Sequence, residues 1–212
     1  MFMVEEYTIG LALLDYVPNL FFLFGSIFII KLWTQKKWNL TYFLWSVGSI
    51  LVFIGGIFKA IWKTIIVITS SSIAFLSDYL FIWQTIGFSL MFLGTLFIFR
   101  EKRNSSSDVK NLIPALAILP WKIPFLAIQT ISYFGNQIIL IFYSFKRKMP
   151  VIGVLLIANV ILTFGLVGLA SGDLTIPMQW IAESVNTISQ ACYLCAGYLI
   201  LRNGDKFGFS KE

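Results

Sequence analysis

Six apolar runs dominate this chain, near 10–32, 41–66, 76–99, 124–145, 150–171 and 178–201. Each is long enough, or nearly so, to cross a bilayer core that needs about 20 helical residues. A backbone in lipid must satisfy its own polar groups, so runs of this length imply helices. The predicted fold class is all-α, a polytopic membrane bundle. A soluble domain is excluded by composition: 58% of the 212 residues are hydrophobic and 12% charged, more apolar surface than one core of this size can hide.

Between the runs, basic residues fall in short clusters: Lys31/Lys36/Lys37, Arg100/Lys102/Arg103/Lys110, Lys146/Arg147/Lys148 and Arg202/Lys206/Lys211. Nucleic-acid binding needs a basic face on a folded domain. Short clusters beside apolar spans instead match cytoplasmic loops against anionic lipid, so the expected partners are membrane lipids and not nucleic acid. A shorter apolar segment, 111–121, carries Pro114 and Pro120, and it decides the topology. If 111–145 crosses once, the second and third clusters lie on opposite sides. If it crosses twice, 13 of the 16 Lys and Arg share one side, and only Lys59, Lys63 and Lys122 do not. The positive-inside rule selects two crossings, with a re-entrant hairpin as the alternative.

The expectation is a single transmembrane domain over 1–212, with seven helices at about 10–32, 41–66, 76–99, 111–121, 124–145, 150–171 and 178–201. Its N-terminus is outside, its C-terminus in the cytoplasm, and its location the plasma membrane. The opening MFMVEEYT, with Glu5 and Glu6, lacks the positive start of a cleavable signal, so the first run is expected to stay as a helix. Neither tail is long enough to fold alone. Trp33, Trp38, Trp45, Trp62, Trp121 and Trp180 fall near expected helix ends, where the indole favours the membrane interface.

Motifs for known chemistries are lacking. Cys192 and Cys195 form C-Y-L-C, but the chain has no histidine and no other cysteine, so no four-ligand zinc set exists. The pair sits inside the last run, away from a helix N-terminus that would stabilise a thiolate, and is read as packing. No metal, cofactor or catalytic residue is predicted. The glycines are scattered through the apolar runs, as expected of close helix contacts, and no glycine loop follows a strand to hold phosphate.

Polar side chains at membrane depth are costly and point to function. Glu183, Asn186 and Gln190 share one face of the last helix, and Asp15 and Asn19 share one of the first. Lys59 and Lys63 are one turn apart on the second. Gln84 lies on the third, Gln129, Asn136 and Gln137 on the fifth, and Asn159 on the sixth. At about 1.5 Å per residue, Asp15, Lys59, Lys63, Asp78 and Glu183 collect at one level, above a belt of amides. Lys63 and Asp78 are expected to snorkel to the interface, whereas Asp15 and Glu183 are expected to face an internal cavity. The predicted ligand-binding set is therefore Glu183, Asn186, Gln190, Asp15, Asn19, Lys59, Gln84, Asn136 and Asn159.

A shift of 110 places Phe24-Gly25, Ile29, Lys36 and Gly55 on Phe134-Gly135, Ile139, Lys146 and Gly165, and a shift of 102 places Thr85-Ile86, Ile98 and Arg100 on Thr187-Ile188, Ile200 and Arg202. The implied organisation is two parallel three-helix repeats joined by a linker helix. In this it resembles the SWEET and PQ-loop small-solute transporters, over nearly the whole chain. The resemblance implies a solute site between the repeats, with Gln84 and Asn186 at the paired amide positions of the third and seventh helices. The family's Pro-Gln pairs are absent: Pro18-Asn19 and Gln129-Thr130 stand in their place. Opsins share the seven-helix layout, but 178–201 contains no lysine to hold retinal.

Three functional classes stay open. The first is a small-solute transporter or channel. The second is a sensor or accessory subunit binding a partner or lipid. The third is an intramembrane lipid-acting enzyme using Glu183 beside Lys59.

Overall fold

Uninterrupted Leu, Ile, Phe and Val favour long rods, and proline and polar turns end them. The computed structural model describes residues 8–33, 40–71, 73–101, 122–170 and 175–204, and every regular element among them is a helix: α1 Ile9–Leu14, α2 Tyr16–Trp33, α3 Leu40–Thr69, α4 Ala74–Glu101, α5 Lys122–Lys146, α6 Pro150–Ala170 and α7 Ile176–Arg202. These match the expected spans to within a few residues at each end. The expected short helix at 111–121 lies outside the described residues.

The first run is broken at Asp15. Pro18 has no N–H for the Leu14 carbonyl, and its ring crowds that turn. The side-chain amide of Asn19 donates to the Asp15 carbonyl at 2.7 Å, an added tie across the junction. α1 and α2 thus continue one rod with an interruption.

The rods form a ring. α2 packs beside α3, α3 beside α4, α4 beside α5, α5 beside α6, and α6 beside α7, while α7 closes on α2. The short α1 packs chiefly on α3. Neighbours α4 and α5 run parallel: Thr85 Oγ1 donates to the Phe125 carbonyl, Ser89 meets Ser132, and Thr95 meets Asn136. α2 and α7 are parallel as well, with Phe22 stacked on Tyr193 and Phe28 edge-on to Tyr198. Glycines set the closest crossings. A methyl on Gly87 would meet the Gly48 carbonyl oxygen at 2.6 Å, and one on Gly197 would meet that of Gly25 at 2.6 Å. Only a residue without Cβ lets these backbones approach so closely.

The α5–α6 hairpin closes by hydrogen bonds at the helix end. Lys148 takes the left-handed conformation at φ 57°. The Met149 N–H bonds the Ser144 carbonyl and the Lys148 N–H that of Phe145, the Schellman arrangement. Met149 is buried behind it, and Pro150 starts α6.

The exterior is apolar and the interior carries the polar groups. Phe43, Phe142, Val151, Ile161 and Ile188 are exposed, while Asp15, Ser26, Lys63, Asn136, Asn159 and Glu183 are buried. That inversion suits a lipid surround. Ile9–Leu32, Leu40–Thr69, Tyr79–Phe97 and Phe125–Lys146 are each long and apolar enough to cross a membrane. Trp45 departs from the expected interface belt. It is fully buried and donates its indole N–H to Thr95 Oγ1 at 2.9 Å, because its face of α3 packs on α4.

Candidate functional site

Four charged side chains from three helical regions meet at one level of the ring. Asp15 stands at the α1–α2 break, Lys59 and Lys63 lie one turn apart on α3, and Glu183 lies two turns into α7. Lys63 Nζ donates to Glu183 Oε1 and sits 3.3 Å from Asp15 Oδ2. Lys59 Nζ is 3.8 Å from Asp15 Oδ1 and 3.7 Å from Glu183 Oε1. The set holds two positive and two negative charges, which is how ionic groups persist away from water. Lys63 does not snorkel: it faces the bundle, because carboxylates on two neighbouring helices lie closer than the interface. The Asp78 side chain lies outside those described.

Below the cluster opens a cavity of about 340 Å³. Asp15, Asn19, Lys59, Gln84, Asn186 and Gln190 all line it, so six of the nine predicted residues converge. Glu183 contributes no wall; it sits behind the lysines, with Asn186 Nδ2 3.5 Å from its Oε2. Asn136 and Asn159 are buried elsewhere. Asn136 Oδ1 accepts the Thr95 hydroxyl at 2.6 Å, which ties α5 to α4.

Asn159 belongs to a neutral network joining α5, α6 and α7. The Tyr133 hydroxyl donates to Asn159 Oδ1 at 2.7 Å and lies 3.0 Å from Thr163 Oγ1. Asn159 Nδ2 donates to the carbonyl and hydroxyl of Ser189, both at 2.9 Å. Tyr133 and Thr163 present this network to the cavity.

Sequence reasoning missed Gln129, Thr130, Tyr133 and Thr163 as cavity residues. Gln129 donates through Nε2 to Gln84 Oε1 at 3.1 Å, so the two amides form one unit. A signal was present, since Gln129, Tyr133 and Asn136 follow the i, i+4, i+7 stripe of one helix face. Phe22, Phe88 and Phe134 supply an apolar wall. Chemically, the cavity offers hydrogen bonds in both senses, the Lys59 ammonium, the Asp15 carboxylate paired with it and aromatic faces. Among the described residues, no group of His, Cys, Asp and Glu could hold a metal. Cys192 and Cys195 are both free thiols, with Cys195 in an apolar groove between α2 and α7 on the outside of the ring.

No family model matches the chain, and no curated protein or solved structure shows a likeness to it.

Proposed function

We propose that the chain is a multi-pass membrane protein, seated in the plasma membrane, that moves a small polar solute through the cavity between its two three-helix halves. The observation that carries this reading is the cavity itself. Six polar residues from the first, second, third and last long helices converge on it, inside a bundle whose exterior is apolar. Its volume lies at the small end of ligand pockets, which run to about 300–1,000 Å³.

The seven-span topology, N-terminus outside and C-terminus inside, draws support from the parallel course of α4 and α5. Two successive parallel neighbours need a crossing between them, and 111–121 is the apolar stretch available. The repeat draws support from matched contacts. Gly25 of α2 fits beneath Tyr193 and Leu194 of α7, and Gly135 of α5 fits beneath Phe92 of α4. Gly25 and Gly135 differ by 110, Phe92 and Leu194 by 102. The Gly55/Gly165 pair does not follow: Gly55 packs on Gln84, whereas Gly165 has open space.

The test is uptake of labelled small polar solutes into proteoliposomes, alongside thermal-shift binding of the same panel. Uptake that Asn186→Ala or Gln84→Ala reduces about tenfold or more is the expected result. A panel with neither uptake nor binding overturns the reading; binding without uptake replaces the transporter by a sensor. Reporter fusions at Ser106 and Lys148 should both be cytoplasmic, and opposite sides would end the seven-span topology. The lipid-acting enzyme is less well served, because Glu183 is held behind Lys63 and does not face the cavity.

A further inference from the structure

We infer that the solute carries a carboxylate, and that Lys59 is the residue that recognises it. The inference rests on the solute reading above and adds the ligand's chemical class. Its basis is the unequal placement of the two lysines. Neutralising Asp15 and Glu183 requires two positive charges, and the economical arrangement would bury both equally. Instead Lys63 holds both carboxylates closely and its side chain is 6% exposed, whereas Lys59 stands 3.7–3.8 Å from the same carboxylates and is 38% exposed. Lys59 lines the cavity and Lys63 does not. Lys59 is therefore the cation whose protein partners are the looser ones, and it is turned toward the space a ligand would fill.

The surroundings select what it would bind. Asn19 and Asn186 line the same cavity as Lys59: the Asn19 amide oxygen lies against Gly56, one turn before Lys59 on α3, while its nitrogen donates to the Asp15 carbonyl, and the Asn186 nitrogen reaches the carboxylate that Lys59 faces. The ammonium carries three N–H donors and each amide nitrogen a second N–H beyond the one it already donates, a set that suits a two-oxygen anion. Beyond them Phe22, Phe88 and Phe134 take a short apolar body. On binding, the ligand carboxylate replaces the two long contacts of Lys59, while Lys63 continues to hold Asp15 and Glu183. A cation ligand fits poorly, because it would set a third positive charge beside Lys59 and Lys63, which already balance the two carboxylates.

The experiment titrates the intact protein in lipid nanodiscs with matched pairs, lactate against lactamide and butyrate against butyramide, with glucose as a neutral control. Calorimetry and thermal shift give the readout. We expect each acid to bind about tenfold or more tighter than its amide, the loss that follows from removing a charge-assisted contact. In Lys59→Met the preference should vanish, and in Lys59→Arg it should persist. The acid–amide comparison in the unaltered protein does not depend on how the variants fold. Amides that match their acids, or a preference that survives Lys59→Met, overturn the inference. Binding of glucose with no acid bound overturns it while leaving the solute reading intact, whereas silence of this set and of the broader panel removes both.

Discussion

Two buried polar assemblies face the same cavity and are built on opposite plans. One is the ionic cluster of Asp15, Lys59, Lys63 and Glu183, joining the α1–α2 break, α3 and α7. The other is the neutral network of Tyr133, Asn159, Thr163 and Ser189, joining α5, α6 and α7. In the neutral network each polar group has a partner inside the set at 3.0 Å or less, and it acts as a closed strut. The ionic cluster has one member, Lys59, held at longer range and open to the cavity. The contrast teaches where exchangeable contacts lie. A satisfied neutral network has less to exchange with a ligand than a charge cluster with one loosely held member.

The comparison can be broken first at Lys63. Lys63→Met should destabilise the protein by about 3–5 kcal/mol, since it leaves two buried carboxylates sharing the distant Lys59. Thermal melting in detergent would measure it, and a loss below about 1 kcal/mol would mean that Lys63 is not the holding cation. Adding Glu183→Gln to that variant should recover part of the loss, because contacting residues couple by about 0.5–3 kcal/mol. Next in size is the strut. Asn159→Leu leaves Tyr133 and Ser189 without their amide partner, for a cost of about 1–3 kcal/mol. Solute binding in that variant, measured at a temperature where it stays folded, should be nearly unchanged. A large binding loss would erase the distinction between the two assemblies. Lys59→Met sharpens it from the other side. Lys59 makes only the longer contacts to the two carboxylates, so melting should fall by less than in Lys63→Met, while carboxylate binding is lost. The smallest effect belongs to Cys192→Ala with Cys195→Ala, which should leave melting, binding and uptake unaltered under reducing and oxidising conditions alike.

How much of this could be read from sequence follows from the physics of each feature. Helix positions were legible because apolar length alone sets them. Asp15, Lys59 and Glu183 were legible because a charge well inside an apolar run has few explanations. Lys63 was not: it lies six residues before the end of α3, within snorkelling reach, and only the packing of α1 and α7 shows that carboxylates stand nearer than the interface. Trp45 failed for the same reason, its nearness to a helix end giving no hint of Thr95 on the next helix. The Tyr133–Asn159 pair needed the α5–α6 contact, and single polar residues in separate helices do not name their partners. Gln129 was seen but not carried into the site, because its amide gains meaning only beside Gln84.

The ionic cluster also has a consequence for how the chain is made. Asp15, Lys59 and Lys63 are synthesised first, and Glu183 follows Lys63 by 120 residues. At about 5–20 residues per second, that interval is roughly 6–24 s. Throughout it the cluster itself carries one negative and two positive charges. Insertion of α7 therefore completes both the ring and its charge balance in one late event. A ribosome stalled between α6 and α7 would leave both lysines of the cluster with Asp15 as their one carboxylate in the set.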